Sequence, residues 1–304
     1  MKKHLLMILV AVPSCHAVAA RAQDSGFFAE AEIAAGRDIV PPDIIESGLD
    51  QDRLEGLVQG NVKIGYDVTS LLQLNLSTGT ELYPVDSLYN RYRIGSGVRG
   101  DIPLAKDGRT RIRLAADYEY VFGEDGRVFD RIRGGAQLIH RHSPEHSTIG
   151  RLRYGYRNQS EERFAGFDQS EWLAELRHNW RPGGGQTAIN ISLLGLRHIA
   201  DDDRFSYDGY GFRLTGRTAL TKRLTGFGKF SIVQRDYDDA FSNEFPTKRS
   251  DTNIRIRTGL EYQVSQRIHL FAEGGYASTN SNIPVRDYNG FIGLIGARVS
   301  LAGK

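Results

Sequence analysis

The residues best equipped for chemistry in this sequence are its arginines and one tight group of histidines. Arginines recur two apart at Arg91 and Arg93, at Arg109, Arg111 and Arg113, at Arg131 and Arg133, at Arg151 and Arg153, and at Arg255 and Arg257, with Arg213 and Arg217 four apart. A spacing of two or four places side chains on one face of a β-strand. A guanidinium keeps its charge at any physiological pH and grips carboxylate or phosphate with a fork of donors. Rows of arginine along a wall can draw anions into a pore, or can pair with acids across strands and fill an interior. Acids of the same phase are present at Glu30, Glu32, Glu55, Asp117, Glu119, Glu171, Glu175, Glu261 and Glu273. Counting Arg99, Arg157, Arg177, Arg181 and Lys229 as well, bases on this face outnumber acids roughly two to one by the alternation rule.

The histidines are His140, His142 and His146, with Ser143, Ser147 and Glu145 among them. A serine beside a histidine could serve acyl hydrolysis, and the same residues could weakly hold a metal ion. Pro144 sits at the middle of the segment, however, and no oxyanion arrangement accompanies it, so a polar hairpin turn is expected. His178, His198 and His269 stand singly. Gly183, Gly184 and Gly185 follow Pro182 with no helix behind them to present its N-terminus, which reads as a flexible turn and not as a phosphate cradle. The lone cysteine, Cys15, falls in the leader, leaving neither disulfide nor thiol nucleophile beyond it. No enzyme, cofactor, metal or nucleic-acid partner is expected.

These side chains need elements to hold them, and the pattern supplies strands. Residues 1–22 read as a secretory signal: Lys2 and Lys3, a short apolar core from Leu5 to Val12, and A-x-A sites at Ala17–Ala19 or Ala20–Ala22. Val12-Pro13-Ser14-Cys15 loosely resembles a lipidation site, with Pro13 a poor fit. Residues 23–304 form one domain. Beyond the leader no run is apolar enough for a membrane helix, and the mean hydropathy is −0.40. Strict period-2 alternation recurs instead. Between Arg109 and Val121 the set Arg109, Arg111, Arg113, Asp117 and Glu119 opposes Ile112, Leu114, Ala116, Tyr118 and Tyr120. Strands are expected near 27–36, 53–66, 70–81, 90–102, 109–121, 128–140, 147–157, 170–181, 187–199, 208–219, 222–235, 251–264, 266–276 and 286–301, with a bulge near Leu193 and Leu194 breaking the phase of one.

At ten to fourteen residues these strands exceed those of soluble sandwiches and suit a tilted membrane crossing. Trp172 and Trp180 bracket one of them as interfacial girdles do. Connections alternate in length, long at 37–52, 82–89, 158–169, 200–207 and 236–250, short at 67–69, 103–108, 182–186, 220–221 and 265. This predicts an all-β chain, a transmembrane antiparallel up-and-down barrel of about fourteen strands in a Gram-negative outer membrane, with both termini periplasmic. The long loops lean acidic, at Glu161-Glu162, Asp201-Asp202-Asp203 and Asp238-Asp239, which suits both solvation and a lipopolysaccharide surface bridged by divalent cations.

The stretch Tyr276-Ala-Ser-Thr-Asn-Ser-Asn-Ile-Pro-Val-Arg-Asp-Tyr288, followed by Asn289 to Leu301, resembles the closing hairpin of barrels in the surface lipoprotein assembly modifier (Slam-type) family and in related exopolysaccharide-associated porins. Tyr154-Gly-Tyr-Arg-Asn-Gln-Ser160 is a weaker echo. The resemblance covers the barrel alone and implies handling of a surface lipoprotein or an exported polymer. In Slam-type proteins a helical repeat domain precedes the barrel, whereas strands here are expected almost directly after the leader. Gly296-x-x-Val299-x-Leu301 is similar to the C-terminal strand read by the barrel-assembly machinery, although Ala-Gly-Lys follows it here. The leading expectation is a channel with a basic lumen passing anionic solutes or assisting export of an anionic polymer. The alternatives are a Slam-like translocator and a closed barrel whose loops serve adhesion or structure.

Overall fold

The computed structural model describes residues 26–39, 54–124, 126–160 and 166–302. The expected leader with Cys15 lies outside the described residues, as do most of the 37–52 loop and part of the 158–169 loop. The described chain is fourteen strands in one sheet: β1 (Phe27–Ile39), β2 (Leu54–Asp67), β3 (Leu72–Leu82), β4 (Arg91–Pro103), β5 (Thr110–Gly123), β6 (Gly126–Arg141), β7 (His146–Gln159), β8 (Gln169–Trp180), β9 (Thr187–Ala200), β10 (Tyr207–Ala219), β11 (Leu224–Ala240), β12 (Lys248–Gln263), β13 (Ile268–Ser281) and β14 (Tyr288–Ala302). Each pairs antiparallel with its chain neighbours, and β14 pairs with β1 to close the barrel. Closure leaves no unpaired edge, which a bilayer core would penalise heavily.

Alternation fixes which residues meet lipid. Leu72, Leu74 and Leu76 on β3, Ile94 and Val98 on β4, Leu152 on β7, Leu176 on β8, Leu193 on β9, Ile256 and Leu260 on β12 and Phe291 and Ile295 on β14 are all exposed. They pair in register around one surface; for example, Leu152 faces Ala174 and Leu176 faces Leu193. A water-soluble protein does not present a continuous apolar belt of this kind, and an outer-membrane barrel must. The opposite parity carries the charge. Close packing demands glycine where strands press together: a Cβ added to Gly275 on β13 would collide with the carbonyl of Ile256 on β12.

Three expectations are corrected. The phase of β9 does not break: its pairing with β8 and β10 runs without a shift, and Leu194 simply faces inward among polar residues while Leu193 faces lipid. Register shifts occur instead at Val121/Phe122 and between Asp236 and Ala240. The alternation of long and short connections fails at one place. On the end opposite the termini β5 and β6 are separated only by 124–125, shorter than the 104–109 and 142–145 turns at the other end. Arg109 is the third: it lies in the 104–109 turn, exposed and 3.5 Å from Asp107, so it does not line the interior.

Candidate functional site

The charged interior is the candidate site. Apart from Arg109, every arginine expected to line the lumen has inward parity: Arg91, Arg93, Arg111, Arg113, Arg131, Arg133, Arg151, Arg153, Arg213, Arg217, Arg255 and Arg257. Their environments differ. Along β3 to β8 runs one arc of ion pairs. Arg93 pairs with Glu81, and Arg113 grips Asp101 through two nitrogens at 2.7 and 2.8 Å. Arg133 reaches Asp117 at 2.6 Å, and Arg131 reaches Glu119 at 2.6 Å and, over the intervening β7, Glu171 at 3.6 Å. Arg151 and Arg177 share Glu175 at 3.2 and 2.7 Å. A second arc spans the closure. Arg298 bridges Glu32 and Glu261, the latter at 2.7 Å, while Arg257 joins Asp38 across β13 and β14 and also Glu273, which takes Lys229 at 3.1 Å. Arg255 stands 3.7 Å from Asp38.

Sequence reasoning missed Arg298, Asp38, Glu81 and Asp101. Arg298 follows from the same period-2 count as its neighbours. Asp38 lay past the expected end of β1.

Among the described residues, Lys63, Arg99, Arg111, Arg153, Arg213 and Arg217 face inward with no hydrogen bond or ion pair. Most of them sit near one end. Lys63 and Arg99 are four residues before their strands finish, Arg111 is second in β5, and Arg217 is two from the end of β10. That end carries the termini, which in such barrels are periplasmic. Arg213 and Arg217 are exposed although they point inward, so water reaches that side of the lumen.

The other mouth is crowded. Tyr83 and Tyr89, from the 83–90 connection, pack inward on Ala34, Leu57 and Leu294. Arg91 is buried beneath them, donating to the carbonyls of Leu88 and Asn90 at 2.9 and 2.8 Å. Arg249, paired to Asp251 at 3.0 Å, lies 3.7 Å over the Tyr237 ring, and Arg286 lies 5.2 Å over Phe241. Arg157 stacks over Phe129 and Phe167.

The histidine segment is a turn, as expected, with the Ser143 hydroxyl accepting from the backbone N–H of Glu145 and of His146. His178 does not stand alone, however. Its Nε2 lies 3.1 Å from His146 Nδ1 and its Nδ1 3.1 Å from the Thr148 hydroxyl. His142, His146, His178 and Thr148 lie outside the lumen, and no nucleophile with base and oxyanion donors assembles there. His198 stacks on Tyr207, and His269 lies 3.3 Å from Glu261. Among the described residues no group of three or more metal-ligating side chains is placed to hold an ion. The 183–185 turn adopts positive φ throughout, which glycine alone takes easily.

No family profile matches the chain, and no curated sequence does either. Solved structures do. A bacterial polysaccharide outer membrane secretin superposes with a TM-score of 0.50 at 8% identity, covering 93% of this chain and 100% of that one. OmpT, an outer membrane protein of Vibrio cholerae, gives 0.47 at 11% identity over 94% and 100%, and an anion-selective porin from Comamonas acidovorans gives 0.44 at 10% over 92% and 100%. This chain has the fold of a Gram-negative outer-membrane β-barrel. At such identities the likeness speaks for the fold alone.

Proposed function

We propose that the chain is an outer-membrane channel whose lumen is net basic, passing anionic solutes or assisting export of an anionic polymer, with no covalent step. The observation that carries this reading is the set Lys63, Arg99, Arg111, Arg153, Arg213 and Arg217, six inward cations without a hydrogen bond or ion pair among the described residues, which outnumber Glu30, the inward acid that faces Lys63 in register. Cations already held by carboxylates present little field to a passing ion. Cations without partners present all of theirs, and in a lumen with low-dielectric walls that field concentrates counter-ions. Attraction from the periplasmic end, where most of these groups lie, favours anions entering from that side.

The test is conductance of the refolded chain in a planar bilayer, with reversal potential under a potassium chloride gradient. Chloride should be preferred, and Arg213→Glu with Arg217→Glu should shift the reversal potential towards potassium. An unshifted reversal potential in a conducting barrel removes the basic lumen from the account. A folded barrel that does not conduct favours the closed, loop-binding alternative.

A further inference from the structure

The end of the barrel that carries the termini is ringed with positive charge. Its hairpin turns, 68–71, 104–109, 142–145, 181–186, 220–223 and 264–267, hold Lys106, Arg109, Arg181, Lys222, Arg223 and Arg267. The acids among them are Asp107, which Arg109 engages at 3.5 Å, and Glu145. The opposite end has the reverse sign. Its connections bear the run Asp201–Asp203 with Asp86, Glu124, Glu244 and Asp287, and among the described residues Arg204 and Arg286 are their only cations. Arg204 is itself held by Asp202 at 2.8 Å. A formal net charge of +2 over the whole chain therefore conceals a division between the two ends.

Backbone bonding fixes where the turn arginines stand. The Arg181 N–H donates to the Glu145 carbonyl at 2.8 Å, and the carbonyls of Arg223 and Arg267 accept from the N–H groups of Gln263 and Ser300 at 2.8 and 2.9 Å. Each of the three is one more rung of its ladder and keeps the phase of the strand beside it. Arg181 follows Arg177 and Asn179, Arg223 precedes Thr225, and Arg267 precedes His269. That phase is the lumen's, so these side chains stand over the mouth and not against the surrounding lipid. Arg141, last in β6, shares the phase and lies directly across from Arg109, whose carbonyl accepts its N–H at 2.8 Å. Like charges directly opposite on neighbouring strands destabilise a sheet, so the ladder gives no reason for this pair. Arg141, Arg181, Lys222, Arg223 and Arg267 have no side-chain hydrogen bond or ion pair among the described residues, although Glu145 faces Arg181 in register.

We infer that this periplasmic rim docks an acidic protein, one that presents carboxylates over an area as broad as the mouth. Breadth excludes a small anion. Fourteen strands about 4.8 Å apart, tilted by about 40°, enclose a mouth roughly 28 Å across. The unpaired cations are spread around it on the β6–β7, β8–β9, β10–β11 and β12–β13 hairpins, too far apart to converge on one solute. A second copy in the same membrane keeps its acidic end at the far surface, out of reach. Guanidinium grips carboxylate through two parallel hydrogen bonds, and many such contacts around a ring set the orientation and encounter rate of a partner. The docking does not require that the barrel conduct.

The experiment uses the folded barrel in phosphatidylcholine nanodiscs, with labelled poly-L-glutamate as the probe, fluorescence anisotropy as the readout and heat-modifiable gel mobility as the check on folding. The wild type should bind the probe. The combined variant Arg141→Gln, Arg181→Gln, Arg223→Gln and Arg267→Gln, all on the rim, should weaken binding about tenfold, as several modest surface charge contacts together supply. Equal binding by the two proteins overturns the docking surface. So does a greater loss with Arg213→Gln and Arg217→Gln, which would place the probe inside the lumen. In intact cells, a photoreactive residue at Gln186 should then give a protein adduct that the four-arginine variant loses. Phospholipid or polysaccharide in the adduct, or no arginine-dependent protein adduct, would take the rim away from a protein partner.

Discussion

At the scale of single residues, two arginines of the same parity do different work, and their substitution separates stability from selectivity. Arg113 holds both oxygens of Asp101, and each side chain is less than a fifth exposed. Arg213 has no such partner among the described residues. Arg113→Ala leaves the Asp101 carboxylate half-buried without its donors, so it should lower unfolding free energy by about 1–3 kcal/mol. Arg213→Ala should stay within about 0.5 kcal/mol, as ordinary unpartnered positions do. Urea unfolding of the barrel in detergent, followed by tryptophan fluorescence, checks both. The inward face of each arginine was legible from the period of two. Its partner was not, because Arg257 meets Asp38 and Arg298 meets Glu261 across strands that the linear sequence does not place side by side. Pairing depends on register and curvature, which alternation leaves open.

At the scale of the strand, the two faces should respond oppositely to charge. Leu152 is exposed to lipid near the middle of β7, and Arg153 beside it points to the lumen. Leu152→Arg should therefore cost about 2–4 kcal/mol at the bilayer midplane, whereas Arg153→Leu should be tolerated. The same unfolding titration in lipid vesicles measures this, and equal costs would contradict the assigned faces. All fourteen strands could be read because lipid on one side and water on the other impose the strictest alternation a strand can carry. Leu194, beside Leu193, misled that reading. Apolar residues are permitted on a lumen face as they are not required there, so their appearance imitates a bulge. The 124–125 connection was hidden because β5 and β6 keep pairing through the register shift at Val121/Phe122 as far as Gly123 and Gly126, past the point where alternation holds its phase. His178 was passed over because a solitary histidine on a strand gains meaning only when its neighbours on β7 are known.

At the scale of the whole molecule, the barrel is polarised: most of the unpartnered inward cations lie towards one end and folded-in aromatics at the other. The aromatic end should set the conductance. Tyr83 is almost wholly buried and meets Tyr89 edge to face at 6.2 Å, and together they cover Ala34, Leu57 and Leu294 on the inner wall of β1, β2 and β14. Closure of the barrel does not involve these rings, since the β1–β14 and β1–β2 ladders are continuous beneath them. Removing them should widen the mouth without opening the wall. Tyr83→Ala with Tyr89→Ala is therefore expected to raise single-channel conductance while leaving the reversal potential nearly unchanged, because most of the cations to which the proposed function assigns selectivity lie towards the other end. Arg213→Glu with Arg217→Glu should do the converse, moving the reversal potential with a smaller change in conductance. If the tyrosine pair instead altered selectivity, or the arginine pair altered conductance alone, the division of the lumen into a narrow mouth and a charged vestibule would fail, even with the fold intact. Recording the two double variants in the same bilayer preparation decides it, since refolding yield then cancels and only the per-channel quantities are compared.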